Sequence, residues 1–209
     1  MIHKRIRMYA KIRIHFFTLC VILNCRRTVM KNYFVIHALG RTENDYWYKF
    51  IKRTVENKGY KCFVPTMPPI EDMSYDTWAK EFDKYKDFIN EDSVFIGHST
   101  GAIFIIRYLM ENNLKIAKYI SVVGFNKENP KSINSSWEEI NKTFFVEDLL
   151  RFREFAKEKI SFYSPTDVYD FNVLDDFANQ IDAEKEIIEN AGHFTKGYEK
   201  EFNEIIRYL

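Results

Sequence analysis

The sequence predicts an α/β protein, a mostly parallel sheet with helices on both faces in three layers. Three observations carry this. Short apolar runs rich in β-branched and aromatic residues alternate along the chain with longer segments of helical spacing. Val94-Phe95-Ile96 passes through Gly97-His98-Ser99-Thr100-Gly101 directly into the apolar segment opened by Ala102 to Ile106, which reads as a strand, a sharp turn and a buried helix. Finally, 29% charged and 46% hydrophobic residues over 209 positions describe one globular domain with a sizeable core.

Taken in order, residues 1–29 differ from the rest of the chain. They hold seven Lys or Arg and no acid, so the formal charge of +1 leaves residues 30–209 at a net −6. Ile14 to Cys25 contains no Lys, Arg, Asp or Glu, but 12 residues fall short of the about 20 a spanning helix needs. Cys25-Arg26-Arg27 comes next, where a signal peptide would have small residues. The expectation is a basic leader outside the fold, with Met30 as a possible true start and residues 30–209 as the domain.

Tyr33 to His37 is the first expected strand, followed by the loop Ala38-Leu39-Gly40-Arg41. Thr42 to Asp45 has the residues to cap a helix whose apolar face uses Trp47, Phe50, Ile51 and Val55 and which stops at Gly59. Tyr60 to Val64 is a strand halted by Pro65. Tyr75, Trp78, Phe82, Tyr85 and Ile89 recur at intervals of 3, 4, 3 and 4, one face of an amphipathic helix. After the Ser99 turn and its helix, Ala117 to Gly124 is a strand. Residues 126–141 read as a loop with a short turn at Ser136 to Glu139, then Phe144 to Lys157 as a helix. Ile160 to Tyr163 is a strand ending in Ser164-Pro165-Thr166-Asp167. Phe171 to Ile181 is a helix, Lys185 to Glu189 a strand, and Tyr198 to Leu209 a closing helix with Phe202, Ile205, Ile206 and Leu209 inward.

The mildly acidic body argues against a nucleic-acid surface. Cys20, Cys25 and Cys62 form no disulfide framework, and no Cys/His cluster has metal-ligand spacing. Cys62 alternates with apolar neighbours as a small core residue does.

In a parallel sheet the loops following the strands share one edge, so His37 to Arg41, Ser99, Asp167 and His193 can converge there. A serine hydroxyl is too weak a nucleophile unaided; it needs a histidine to take its proton and a carboxylate to orient that histidine. Gly-x-Ser-x-Gly at residues 97–101 fits the nucleophile elbow, whose tight turn needs small residues two positions either side of the serine. The order Ser99, Asp167, His193 is that of α/β-hydrolases. Among five histidines, His3 and His15 lie in the leader. His98 adjoins the nucleophile and is expected to point away from it, and His37 to shape the first loop. That leaves His193 as base. Asp167 is the expected acid and Asp170 its alternative, either of which has the capping of the following helix as its plain role. The oxyanion is assigned to two backbone N–H groups, Thr100 and one of Ala38 or Leu39.

Assembled, these residues resemble the small α/β-hydrolases of the family containing retinoblastoma-binding protein 9 and the bacterial YdeN-type serine hydrolases. The likeness covers residues 31–209. It rests on Val35-Ile36-His37, Trp47, Thr66-Met67-Pro68, Gly97 to Gly101, Ser164-x-x-Asp167 and Gly192-His193-Phe194. It implies an α/β-hydrolase fold with about six strands, a Ser99-His193-Asp167 triad and no bound cofactor. Two positions depart from the family pattern: Ala38-Leu39 stand where its first loop is glycine-rich, and Val168-Tyr169-Asp170 where members often carry a proline turn.

The expected function is a serine hydrolase cleaving small carboxylic esters or amides through an acyl-enzyme. The alternative is a weakly catalytic or non-catalytic protein-interaction module on the same fold. Acyl transfer to an acceptor other than water would use the same residues. A small-molecule substrate, no metal, no nucleic acid, no membrane contact by the folded domain, an open place for a protein partner and a cytoplasmic location complete the expectation. Trp137, Phe144 and Phe145 are candidates to line an acyl pocket or simply to pack on the sheet.

Overall fold

The computed structural model describes residues 31–132 and 135–209. The basic leader 1–29 and its Met30 boundary fall outside the described residues. In chain order the elements are β1 Asn32–Ile36, α1 Tyr48–Asn57, β2 Lys61–Phe63, α2 Tyr75–Phe82, β3 Val94–His98, α3 Thr100–Glu111, β4 Ile116–Val122, α4 Ser135–Lys142, β5 Ala156–Tyr163, α5 Phe171–Gln180 and β6 Glu184–Ile187. Short 3-10 segments occupy Ile70–Asp72, Asp83–Phe88, Leu149–Glu154 and Asn203–Tyr208.

The six strands form one parallel sheet in the order β2-β1-β3-β4-β5-β6. The chain moves outward from β1 to β2, then returns past β1 to β3 and continues the other way. The crevice at such a reversal is where open α/β sheets hold ligands. Both sheet faces are covered, and the strands show it residue by residue. Tyr33 and Val35 join one core layer with Trp47, Ile51 and Phe202, while Phe34 and Ile36 join the other with Trp78, Phe82 and Phe104.

α1 ends as expected from Gly59. That residue has φ +85° and gives its N–H to Glu56 O at 2.9 Å, while Tyr60 N–H reaches Val55 O at 3.3 Å, a Schellman closure. Several boundaries differ from those the sequence predicts. Thr42 to Asp45 does not cap α1: Asp45 Oδ2 accepts from Thr42 N–H at 2.8 Å and closes its own turn. The stripe from Tyr75 to Ile89 is α-helical only to Phe82 and tightens into 3-10 geometry beyond it, with Tyr85 and Ile89 partly buried. α4 forms where a loop with a short turn is expected.

The helix expected over 144–157 is instead the 3-10 turn Leu149–Glu154, capped by Asp148 accepting from Arg151 N–H, and β5 already begins at Ala156 opposite Ile116. The closing helix is a single 3-10 stretch. Phe202, Ile205 and Tyr208 recur every three residues, the 3-10 period, which packs Phe202 and Ile205 inward and leaves Ile206 37% exposed.

Candidate active site

Ser99 sits between β3 and α3 with φ 56° and ψ −122°, a backbone conformation costing on the order of 1–3 kcal/mol. Two backbone bonds hold it there: Ser99 N–H to Val122 O at 2.8 Å and Ala102 N–H to Ser99 O at 2.9 Å. The two glycines are required by space. A Cβ on Gly97 would lie 2.5 Å from Ala102 Cα, and one on Gly101 would lie 2.5 Å from both His37 O and Ile36 O. α3 therefore starts almost in contact with the end of β1. The pairing of Ile36 with Gly97 brings the loop after β1 alongside the same turn.

On the far side, β5 and β6 pair Tyr163 with Ile187, so the loops leaving them run side by side. Thr166 Oγ1 accepts from Gly192 N–H at 3.2 Å across the two. This register brings together residues 26 apart in sequence: His193 Nδ1 lies 3.0 and 3.1 Å from Asp167 Oδ1 and Oδ2. The Asp167 carboxylate is fully buried and also accepts from Tyr169 N–H at 2.8 Å. A carboxylate only accepts, so His193 Nδ1 carries the proton of the neutral ring and Nε2 keeps its lone pair. Tyr169 stacks on His193 at 5.8 Å between centroids, with Phe125 stacked on Tyr169 in turn. Asp170 is engaged elsewhere. It caps α5 through Asn172 N–H at 2.9 Å and pairs with Lys131 at 3.2 Å, contacts that hold its carboxyl below the usual range.

The first loop is pinned on both sides of Ala38. His37 Nε2 accepts from Met67 N–H at 3.0 Å, so Nδ1 is its donor, and Nδ1 lies 2.8 Å from Ala38 O. Arg41 N–H also reaches Ala38 O, at 3.2 Å. Because a peptide is planar and trans, holding Ala38 O fixes the direction of Leu39 N–H on the opposite edge. Of the two residues expected to supply the second oxyanion donor, Ala38 gives its N–H to Tyr48 Oη at 3.1 Å. His98 is wholly buried and turned away from Ser99, with Nδ1 2.7 Å from Tyr48 Oη and Nε2 2.9 Å from His193 O. Burial first, and the neighbouring His193 second, push its pKa well below the ordinary histidine value.

Ser99, Thr100, Ala38, Leu39, Tyr169 and His193 line one cavity of about 240 Å³. Of the three aromatics considered for an acyl pocket, only Trp137 lines it. Phe144 is buried edge-on against Trp78 and Phe104, and Phe145 packs edge-on against Phe125. Asn141, at the end of α4, binds the cavity wall together: its Oδ1 accepts from Thr100 Oγ1 at 2.8 Å and its Nδ2 donates to Tyr169 Oη at 3.1 Å. Tyr48, Asn141 and Tyr169 are not among the site residues expected from sequence. The only available signal was for Tyr48, which shares the i, i+3, i+7 face of Ile51 and Val55. Cys62 is buried, its thiol pushed up to about 12 by desolvation, and no cluster of three or more His, Cys, Asp or Glu among the described residues is arranged to hold a metal.

The solved structures similar to this six-stranded parallel sheet and its covering helices include hydrolases of the α/β fold. The ydeN gene product of Bacillus subtilis superposes with a TM-score of 0.78 at 23% identity, over 86% of this chain and 97% of that one. Est1E of Butyrivibrio proteoclasticus, solved with ferulic acid bound, gives 0.62 at 15% identity over 85% and 86%. In sequence, the putative hydrolase YdeN of B. subtilis is 25% identical over 78% of this chain and 86% of its own length. The serine hydrolase RBBP9 of Rattus norvegicus is 25% identical over 78% and 84%. The pattern of the family described as serine hydrolase matches residues 33–207, and the chain belongs to that family.

Proposed function

We propose that the protein hydrolyses small carboxylic esters or amides through an acyl-enzyme formed on Ser99. The observation that carries this reading is the Asp167–His193 contact at the edge of the cavity that Ser99 lines. Ser99 Oγ attacks the substrate carbonyl as His193 Nε2 takes its proton. Asp167 keeps the imidazole in the tautomer that allows this and stabilises the imidazolium that forms. The tetrahedral oxygen develops negative charge at the N-terminus of α3, where Thr100 N–H and, across the crevice, Leu39 N–H serve as donors. His193 then protonates the leaving alcohol or amine, and water repeats the sequence to release the acid.

The strained turn at Ser99 is, in this reading, a nucleophile elbow. Its backbone strain and its two obligatory glycines support that assignment. A cavity of about 240 Å³ suits a small acyl group and favours small-molecule substrates over a polymer. The working unit is residues 30–209. Cysteine usage supports action in the cytoplasm, since three cysteines in 209 residues make no disulfide framework.

The test is turnover of p-nitrophenyl acetate and butyrate and the matching anilides by the wild type and Ser99→Ala. The reading expects activity to fall by on the order of 10⁴-fold or more in the variant. A variant with wild-type turnover would remove Ser99 from the mechanism.

A further inference from the structure

Behind Ser99 runs a chain of three hydrogen bonds in which every proton has an assigned place. The carbonyl oxygen of His193 can only accept, so His98 Nε2, 2.9 Å away, carries the ring proton. The neutral ring then accepts at Nδ1, and the donor facing it at 2.7 Å is the Tyr48 hydroxyl. Tyr48 Oη retains lone pairs, and Ala38 N–H at 3.1 Å donates to one of them. The direction is thus Ala38 N–H to Tyr48 O–H to His98 to His193 C=O. Tyr48 and His98 are 0% exposed, and neither lines the cavity. Its two ends are the loop after β1, which carries Leu39, and the loop after β6, which carries the base. A parallel tie comes from the residue before Tyr48: Trp47 Nε1 donates to Phe194 O at 3.1 Å.

We infer that Tyr48 and His98 are positioning residues, which through this chain set the separation between the oxyanion loop and the loop of His193. The inference rests on the mechanism proposed above. Loops at the two ends of a crevice drift independently unless something rigid spans them, and displacing a reacting group by about 1 Å costs on the order of 100-fold in rate. The chain spans them with buried, mutually polarising bonds. It works only with a neutral His98, because an imidazolium has two donors and would leave the Tyr48 hydroxyl without its acceptor. Burial keeps the ring neutral.

The rings also pack, since Trp47, Tyr48 and His98 form one aromatic cluster. The experiment therefore removes bonding atoms and keeps the rings or their volume. Tyr48→Phe, His98→Gln and His98→Leu are compared with the wild type and Ser99→Ala on p-nitrophenyl acetate, and the wild-type histidine tautomers are read by ¹⁵N NMR. Tyr48→Phe, which removes both hydrogen bonds of Tyr48 Oη, is expected to lose about tenfold or more in kcat, with KM within about twofold. His98→Gln, which retains a donor and an acceptor, is expected to keep several times the kcat of His98→Leu. His98 is expected as the Nε2-protonated tautomer.

A Tyr48→Phe enzyme with wild-type kcat, a loss expressed in KM alone, or an Nδ1-protonated His98 would overturn the inference. If Tyr48→Phe does not fold, the tautomer and the Gln-against-Leu comparison decide it. Turnover by Ser99→Ala would instead break the underlying mechanism, whereas an inert Ser99→Ala beside a fully active Tyr48→Phe would break only the positioning role.

Discussion

Gly101→Ala isolates the closeness of α3 to β1. The added Cβ would sit 2.5 Å from His37 O, 2.5 Å from Ile36 O and 2.9 Å from Ile36 C, all backbone atoms with no rotamer to escape into. A carbon and a carbonyl oxygen rest about 3.3–3.6 Å apart even in close contacts, so helix and strand must part by about 1 Å. Overpacking of this kind costs about 1–3 kcal/mol or more, against about 1 kcal/mol returned by replacing glycine in a helix. A net loss of about 1–2 kcal/mol lowers Tm by roughly 2–8 °C in a domain of this size. The displaced carbonyls lead directly into Ala38 and Leu39, so kcat should fall more than tenfold in the folded fraction. Gly59→Ala is the matched control. It has φ +85° and nothing within 4 Å, so it costs about 1–2 kcal/mol in backbone strain and nothing in kcat. Differential scanning calorimetry and ester kinetics on both variants separate the two effects; Gly101→Ala with the Tm and kcat of the wild type would refute the steric argument.

Asp167→Asn should lower kcat by on the order of 10⁴-fold by favouring the wrong His193 tautomer, whereas Asp170→Asn, which keeps a good N-cap, should stay within about twofold in kcat. Steady-state kinetics on the pair check this. Burial lowers the pKa of both His37 and His98 below the ordinary histidine value of 6.5. The unfolded chain therefore binds protons there that the folded chain does not. Stability should be full above about pH 6.5 and fall as pH drops below it, by up to about 1.4 kcal/mol per pH unit for each ring. Urea unfolding at pH 7.5, 6.5 and 5.5 would reveal it, and a flat profile would contradict it. Asn141→Ala strips buried partners from Thr100 Oγ1 and Tyr169 Oη; a loss of about 1–3 kcal/mol in stability with a raised KM is expected from thermal unfolding and kinetics.

The inner strands are readable in the sequence because β1, β3 and β4 are largely apolar runs, with stops such as the acidic Glu91-Asp92 before β3, whereas the edge strand β6, Glu184 to Ile187, is mostly charged. What periodicity does not separate is α from 3-10. Tyr75 to Ile89 keeps a helical stripe although the backbone tightens after Phe82, and Phe202-Ile205 fits either period. Residues 144–157 read as a helix because Phe145, Leu149 and Phe152 recur at intervals of 4 and 3, while the start of β5 is decided by pairing with Ile116, a partner 40 residues away. At the site, residues whose role comes from their own chemistry are visible in sequence: Ser99, His193 and the neighbouring acids. Those whose role comes from a distant partner are not. Asn141 matters only because Thr100 and Tyr169 meet it, and Tyr48 only because Ala38 and His98 do. The choice between Ala38 and Leu39 turns on the direction of one peptide, which leaves no trace in side-chain identity.

The measurement that bears most directly on the central claim is covalent labelling by a fluorophosphonate, with the modified residue located by mass spectrometry in the wild type, Ser99→Ala and His193→Ala. The account predicts one phosphonylated residue, Ser99, in the wild type and none in either variant. Label on another residue, or equal label in folded His193→Ala, would contradict it.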